Sequence, residues 1–226
     1  GTGEFELALG LHKASVEMRG YNRAMSPFLI IGDAAKGKTN MLKVIAEQAR
    51  EKGKVYLFDS ADMELYFLKE KENIAYIEDE EDVEDFMEEI KTAGNQNRKQ
   101  FEEAVKAGRN ITPKAFYETI APMYILIDDL DDFTAGHQKN LNEMTTILKL
   151  AVETGIGVIA TVHSSKPKSF DELNKWFKTS SNGLVVGNQG LSNIYPLIAT
   201  RDLPALGEGL LYTNSAYERL LLPLYE

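Results

Sequence analysis

The chain has 226 residues, of which 43% are hydrophobic and 27% are charged, values typical of a soluble globular protein with enough length for a full α/β core. It contains no cysteine, which excludes disulfide bonds and thiolate chemistry, and no apolar run approaches the ~20 residues that span a bilayer. The 35 acidic residues outnumber the 25 basic ones, and the net charge of −10 disfavours a protein that tracks nucleic acid, because such proteins need Lys and Arg to neutralise phosphates.

The hydrophobic pattern predicts strands that alternate with helices along most of the chain, which is typical of a mainly parallel sheet flanked by helices. Strands are predicted, in chain order, at residues 5–11, 15–21, 28–31, 55–58, 123–127, 156–162, 183–187, 210–212 and 219–222, the first two as an N-terminal hairpin and the last two as a C-terminal β-hairpin. Helices are predicted at residues 39–51, 78–108 (as two stretches), 138–153 and 170–177, with a short helix starting at Thr112-Pro113. Asp59-Ser60 forms a good N-cap pair and predicts one more helix after the strand at 55–58.

The segment from residue 78 to about 108 is the most acidic part of the chain. Four apolar residues recur at helical spacing from Val83 to Ile90, so this first stretch is predicted to be an amphipathic helix with acidic residues at its positive end. The second stretch is predicted to turn Phe101 and Val105 inward. The acidic face is either a docking surface or, as is usual for charge runs, a solvated helix face.

The most informative stretch is residues 28–40, which read Phe-Leu-Ile-Ile-Gly-Asp-Ala-Ala-Lys-Gly-Lys-Thr-Asn. Gly32, Gly37, Lys38 and Thr39 satisfy the phosphate-loop pattern G-x-x-x-x-G-K-[ST]. An apolar strand precedes the pattern and a helix follows it, so the free N–H groups of that helix would point at a phosphate. The residues predicted to bind the nucleotide, ATP, are Gly32, Asp33, Ala34, Ala35, Lys36, Gly37, Lys38, Thr39 and Asn40. The alternative is an ordinary surface turn between a strand and a helix.

A second motif lies about ninety residues downstream, where residues 124–128 form an apolar strand that ends in a carboxylate, the form of a Walker B strand. Because ligands of open α/β sheets bind at the carboxyl ends of the strands, Asp128 is expected to face the loop opened by Gly32. Thr39 would coordinate Mg²⁺ directly, Asp128 would hold a water of its shell, and Lys38 would reach the β- and γ-phosphates. The alternative is an acidic turn that caps the strand.

Two acidic residues indicate weak catalysis and weak binding. Many P-loop ATPases place a Glu after the Walker B Asp to orient the attacking water, whereas Asp129 is shorter by one methylene, about 1.5 Å of reach. Lys38, Asp128 and Asp129 are the predicted catalytic residues, and we expect slow hydrolysis or none, because misplacement by about 1 Å costs on the order of a hundredfold in rate. Asp33 would repel phosphates unless Lys36 or Mg²⁺ offsets its charge.

Other nucleotide and metal chemistries find less support. GTPases read guanine with Asn-Lys-x-Asp, whereas Asn174-Lys175 is followed by Trp176-Phe177. A kinase-type P-loop enzyme would need a phosphate-acceptor pocket, which the sequence does not identify. His12, His137 and His163 lie far apart in sequence and suggest no metal site.

Beyond these motifs, the chain resembles the FtsK/SpoIIIE group of motor ATPases over nearly its whole length, and within that group the C-terminal ATPase domain of type VII secretion ATPases (EssC-like). Three segments carry the resemblance: residues 26–32 before the loop, residues 160–165 in place of a sensor segment, and residues 206–212 in place of a Gly-x-Gly closing signature. The Ile-Asp-Asp-Leu-Asp-Asp-Phe run at 127–133 points to the type VII members.

The resemblance implies a RecA-like fold and assembly into a hexameric ring with a partly trans-built active site. It also implies that residues 1–226, which begin with Gly rather than Met, are one domain excised from a larger membrane protein with several ATPase domains. That protein would dock small helical secreted substrate proteins at the cytoplasmic face of the cell membrane. The family's sensor Gln and Arg fall on Val162 and His163, and the acid of its closing signature falls on Leu210, which suggests that the fold is kept while catalysis is weakened.

Three functions remain open from the sequence. The first is a weakly or non-hydrolysing nucleotide-binding domain of a type VII secretion system that couples substrate docking to assembly. The second is an efficient DNA translocase, which the acidic balance disfavours, and the third is a pseudo-ATPase that serves only as a protein-interaction module. Arg201 is either a trans-acting arginine finger or an ordinary surface residue, and Trp176 and residues 194–197 either line a groove for a helix or pack in the core.

Overall fold

The computed structural model describes residues 5–163, 171–187, 202–214 and 216–225. The strands are β1 (Leu7–His12), β2 (Met18–Tyr21), β3 (Phe28–Gly32), β4 (Lys54–Phe58), β5 (Ile74–Tyr76), β6 (Met123–Ile127), β7 (Gly157–His163), β8 (Gly183–Val186), β9 (Glu208–Thr213) and β10 (Ala216–Leu221). The α-helices are α1 (Lys38–Arg50), α2 (Glu80–Lys106), α3 (Pro113–Tyr117), α4 (Leu130–Gly136), α5 (Leu141–Glu153) and α6 (Glu172–Lys178). Within these ranges, no helix combines the length and the apolar character needed to cross a membrane.

All ten described strands form one sheet in the order β2-β1-β10-β9-β8-β3-β7-β6-β4-β5. The six strands from β8 to β5 pair in parallel, and the remaining pairs are antiparallel. The predicted α/β fold with N-terminal strands and a C-terminal hairpin is therefore confirmed. The first and last described strands are neighbours in the sheet, because β1 pairs with β10 through Leu11 and Leu221.

Alternate residues of β3 point to opposite faces of the sheet, and both faces are buried. Leu29 and Ile31 belong to an apolar cluster that is covered by α2, α5 and α6, whereas Phe28 and Ile30 belong to a second cluster that is covered by α1. Burial on both faces explains why this strand reads as a continuous apolar run rather than as an alternating one. The cores on the two faces hold β3 and α1 in place on either side of the loop that joins them.

The acidic segment forms a single helix, α2, of 27 residues rather than two stretches. Asp79 caps it by accepting the N–H of Asp82 at 2.9 Å, and Val83 to Ile90 turn their apolar side chains to the core as predicted. The prediction that Val105 faces inward was wrong: 46% of the residue is exposed, because the end of α2 extends beyond the core. Phe101 is partly buried and contacts the ring of Phe116 in α3, at 5.6 Å between centroids.

Two predicted helices differ in the structure. No α-helix follows Asp59-Ser60, because the Asp59 carboxylate accepts the N–H of Leu65 at 3.0 Å and the hydroxyl of Tyr76 at 2.8 Å and so holds a turn that leads to β5. This three-residue strand was missed, since it is too short to show a period. The helix predicted at 138–153 begins at Leu141, after a 3₁₀ turn, and α4 before it was also missed.

Candidate nucleotide-binding site

The loop at residues 33–37 joins β3 to α1 and depends on two glycines. A Cβ added to Gly32 would lie 1.9 Å from the carbonyl oxygen of Val186, so only glycine lets β3 approach β8 this closely. Gly37 has φ = +105°, in the left-handed region that favours glycine, and it directly precedes α1 without a capping side chain. Because the cap residue is a glycine, no cap side chain accepts a hydrogen bond from the N–H groups in the first turn of α1.

Lys38 is the first residue of α1, and its ammonium is half-buried. Its Nζ donates a hydrogen bond to the carbonyl oxygen of Asp33 at 2.7 Å, so the loop folds around its own lysine. Burial lowers the pKa of Lys38, and the nearby carboxylates of Asp128 and Asp129 oppose that lowering. The stem of Lys36, the residue predicted to offset the charge of Asp33, lies over Gly187, where an added Cβ would be 2.7 Å from the Cγ of Lys36.

Asp128 meets the loop at the carboxyl end of β6. Its Oδ2 lies 3.3 Å from the hydroxyl of Thr39, and its Oδ1 accepts a hydrogen bond from Thr161 at 2.7 Å. Only 4% of Asp128 is exposed, and this burial raises the pKa of its carboxyl group. Thr161 was not among the predicted site residues, although a hydroxyl in the apolar strand β7 was a usable signal.

The oxygens of Thr39 and Asp128 fit Mg²⁺, which prefers oxygen ligands. Across the described residues, no group of three or more His, Asp or Glu side chains is arranged to hold a metal ion. A cation between Thr39 and Asp128 would therefore have few protein ligands, as Mg²⁺ does where it is bound together with phosphates. A buried carboxylate of raised pKa would also gain a partner for its charge there.

Asp129 is placed as a helix cap. Its Oδ1 accepts the N–H groups of Asp131 at 3.0 Å and Asp132 at 3.3 Å, at the start of α4, and its own N–H donates to Thr161 at 2.7 Å. Its φ is +57°, an unusual backbone conformation for a residue other than glycine. These contacts hold the carboxylate of Asp129 at the start of α4. They constrain it further, beyond the short side chain that already limits its reach.

We expect Asp129→Ala to lower the free energy of unfolding by about 1 kcal/mol or somewhat more, since a lost N-cap costs ~0.5–2 kcal/mol. Asp129→Asn should be nearly neutral, because Asn caps helices as well as Asp does and tolerates a positive φ. Thermal denaturation would measure the difference, about 2–4 °C per kcal/mol for a chain of this size. Equal melting temperatures for the two variants would contradict the capping role.

His163 ends β7 beside the loop. It pairs in register with Gly32, and its Nε2 accepts the N–H of Ala34 at 3.0 Å. The other two departures from the family pattern, Val162 and Leu210, are buried in the same apolar cluster. Those two positions therefore contribute to the core, whereas His163 touches the loop itself.

Asn40 uses its side chain for a different contact. Its Nδ2 donates to the carbonyl oxygen of Pro223 at 2.9 Å, and its Oδ1 accepts the N–H of Tyr225 at 2.9 Å. The hydroxyl of Tyr225 donates to Glu47, two turns farther along α1, at 3.1 Å. The side chain of Asn40 thus binds the C-terminal segment, which leaves its backbone for the predicted role at the nucleotide.

Some predicted residues lie outside the described ranges, namely Arg201, residues 194–197 and the end of the sensor segment at 164–165. Trp176 is described, and its ring lies 5.1 Å from that of Phe177 and packs against the core. Trp176 therefore follows the core-packing alternative rather than forming an open groove.

Two curated proteins that are similar to this chain are secretion system proteins, and no model of a protein family matches it. The chain is 25% identical over 223 residues to "ESX secretion system protein YukB" of Bacillus subtilis (strain 168), which covers 96% of this chain and 15% of that protein. It is 25% identical over 214 residues to "ESX secretion system protein EccC" of Geobacillus thermodenitrificans (strain NG80-2), with 91% and 14% covered. The chain thus spans about a seventh of the length of these curated relatives.

Solved structures show the same fold. The cytoplasmic domain of EssC superposes with a TM-score of 0.86 at 22% identity, over 100% of this chain and 45% of that one. EssC (ATPases 2 and 3) from Geobacillus thermodenitrificans gives 0.83 at 21% identity, over 100% and 42%. Thermomonospora curvata EccC (ATPases 2 and 3) in complex with a signal sequence peptide gives 0.64 at 18% identity, over 97% and 40%. The predicted RecA-like P-loop fold and the resemblance to an EssC-like ATPase domain are confirmed.

Proposed function

We propose that this chain is a nucleotide-binding, motor-type ATPase domain of a type VII secretion system that binds Mg-ATP in the loop at residues 32–40 and hydrolyses it slowly or not at all. One observation carries the proposal: the hydroxyl of Thr39 and the carboxylate of Asp128 lie 3.3 Å apart beside the start of α1. The loop glycines, the half-buried Lys38 and the open first turn of α1 support the same site.

Each residue of the site has a separate task in this proposal. The loop N–H groups and Lys38 bind phosphate oxygens, because amide dipoles and an ammonium favour negative charge at the start of a helix. Thr39 and Asp128 hold Mg²⁺ with the nucleotide, and Thr161 orients Asp128 through its 2.7 Å hydrogen bond. Bound Mg²⁺ would supply charge neutralisation at the phosphates.

Weak hydrolysis rests on the groups that would position the attacking water. The carboxylate of Asp129 is engaged by the N–H groups at the start of α4, and Val162 offers no polar atom from its side chain. A water held poorly at the site reacts slowly, because proximity and orientation supply a large part of the rate. We therefore propose that the main role of the site is to bind nucleotide and that hydrolysis there is slow.

The partners are part of the proposal. We propose that the chain works with other ATPase domains of one longer polypeptide, since it spans only 15% of its B. subtilis relative. Docking of small helical secreted substrate proteins is supported by the Thermomonospora curvata EccC structure, which contains a signal sequence peptide. A hexameric ring at the cytoplasmic face of the membrane completes the hypothesis.

Isothermal titration of the chain with ATP in the presence of Mg²⁺ tests the proposal. We expect saturable binding at up to millimolar nucleotide, weaker when Mg²⁺ is omitted, and turnover well below the ~1 s⁻¹ that is ordinary for enzymes. The absence of heat at millimolar Mg-ATP would contradict the binding claim. A steady turnover above about 1 s⁻¹ would contradict the claim of weak catalysis.

A pseudo-ATPase is the second candidate, because two loop groups are already engaged within the chain. The ammonium of Lys38 donates a hydrogen bond to the carbonyl oxygen of Asp33, and the N–H of Ala34 donates one to Nε2 of His163. If the chain served only as an interaction module, the parent and Lys38→Ala would capture a secreted substrate equally well and neither would bind nucleotide.

A further inference from the structure

The end of β7 brings an imidazole onto the phosphate loop. His163 and Gly32 are partners in the parallel ladder of β7 and β3, which fixes the ring beside the first residues of the loop. Its Nε2 lies 3.0 Å from the nitrogen of Ala34, and the Ala34 N–H donates to it. Ala34 itself is exposed, and His163 is only half-buried. The contact therefore lies at the surface, where a ligand can reach both groups.

The chemistry of this hydrogen bond opposes anion binding. A ring nitrogen accepts a hydrogen bond only when it carries no proton, so the contact requires neutral His163 with its proton on Nδ1. A phosphate oxygen that used the Ala34 N–H would need the position that Nε2 now occupies. An arginine at this place, as in the family pattern, could not form the contact, because a guanidinium has donors and no acceptor.

We propose that His163 determines nucleotide affinity by acting as a latch, which holds the N–H of Ala34 and must swing away before a triphosphate can use it. The inference rests on the proposed function, because it concerns the same loop, but it names a residue whose removal should strengthen binding. Lys38 and the carbonyl of Asp33 form a second internal contact at the loop, so nucleotide entry exchanges two hydrogen bonds for new ones.

The test compares three variants by titration with a fluorescent ATP analogue and Mg²⁺. We expect His163→Ala to lower the dissociation constant by about threefold to tenfold, since one hydrogen bond no longer has to be broken. His163→Arg should lower it further, because it removes the acceptor and adds a cation. His12→Ala is the matched control, because His12 lies at the end of β1, bonds Ser15 at 2.8 Å and should leave binding unchanged. Unchanged or weaker binding by His163→Ala would overturn the latch.

A second measurement needs no nucleotide and separates the two proposals. Amide hydrogen exchange at Ala34 should be slow in the parent chain and faster by at least about threefold in His163→Ala, with His12→Ala matching the parent. If no variant binds nucleotide, the proposed function fails and the latch fails with it, whereas binding by the parent chain with no gain in His163→Ala overturns the latch alone. If exchange at Ala34 is the same in all three proteins, the latch is wrong, whether or not nucleotide binds.

Discussion

Replacing Lys38 with methionine is expected to weaken Mg-ATP binding by about a hundredfold or more. A hundredfold corresponds to ~2.7 kcal/mol, the size expected for losing charge-assisted hydrogen bonds to phosphate, each worth ~1.5–3 kcal/mol. The effect should be large because the ammonium is half-buried, which weakens screening by water and salt. Isothermal titration with Mg-ATP, beside the parent chain, measures it.

Stability separates loss of the ligand contact from loss of the fold. Burial lowers the pKa of Lys38, so the folded state disfavours this charge, and Lys38→Met should leave the melting temperature unchanged or slightly raised. Lys43→Met is the matched control, because Lys43 lies on the same helix but pairs with Glu64 at 3.7 Å, outside the loop. Equal nucleotide affinity in Lys38→Met and Lys43→Met would refute the role of Lys38.

Replacing Arg23 with leucine is expected to lower the free energy of unfolding by about 3–5 kcal/mol, the usual cost of leaving a buried charge without its partner. The side chain of Arg23 is 3% exposed, and its Nε donates to Glu6 at 2.8 Å. Its two terminal nitrogens donate to the carbonyl oxygens of Gly155, Glu118 and Ile120 at 3.1–3.4 Å. The variant would leave these acceptors unsatisfied and Glu6 without its cation.

Thermal denaturation would register this loss as a fall in melting temperature of about 6–20 °C, at ~2–4 °C per kcal/mol. Arg23→Lys should also be destabilising, because a single ammonium cannot reproduce the fork of a guanidinium. The control is Arg19→Leu, since Arg19 is partly exposed and its pair with Glu218 at 3.0 Å should contribute at most about 1 kcal/mol. A cost below about 1 kcal/mol for Arg23→Leu would show that the network is not coupled to folding.

Two residues other than glycine adopt positive φ at the candidate site, Ala35 at +55° and Asp129 at +57°. Such conformations cost free energy and persist where the surrounding structure fixes them, which happens most often at functional sites. Asp129 is fixed by the start of α4 and by Thr161 on β7. Ala35 lies in the loop between β3 and α1, which are anchored in the cores on the two faces of the sheet.

The sequence by itself determined the strand, loop and helix of the candidate site. β3 was predicted at 28–31 and extends over Phe28–Gly32, α1 was predicted one residue late at each end, and β6 matches its predicted range. These features are encoded locally: an apolar run buried on both faces, glycines where the loop needs them, and a helix that follows at once. The acidic balance and the absence of cysteine were likewise fixed by composition.

Only the tertiary structure decided which side chains meet at the site. Because β7 lies between β3 and β6, Thr161 reaches Asp128 and His163 reaches Ala34, contacts that span 33 and 129 residues of the chain. Asp129 caps α4 with a positive φ, a backbone conformation that no sequence pattern predicted. Periodicity records which face of an element is buried, whereas strand order and the partners of a polar group follow from packing between distant segments, and those partners govern how the loop binds its ligand.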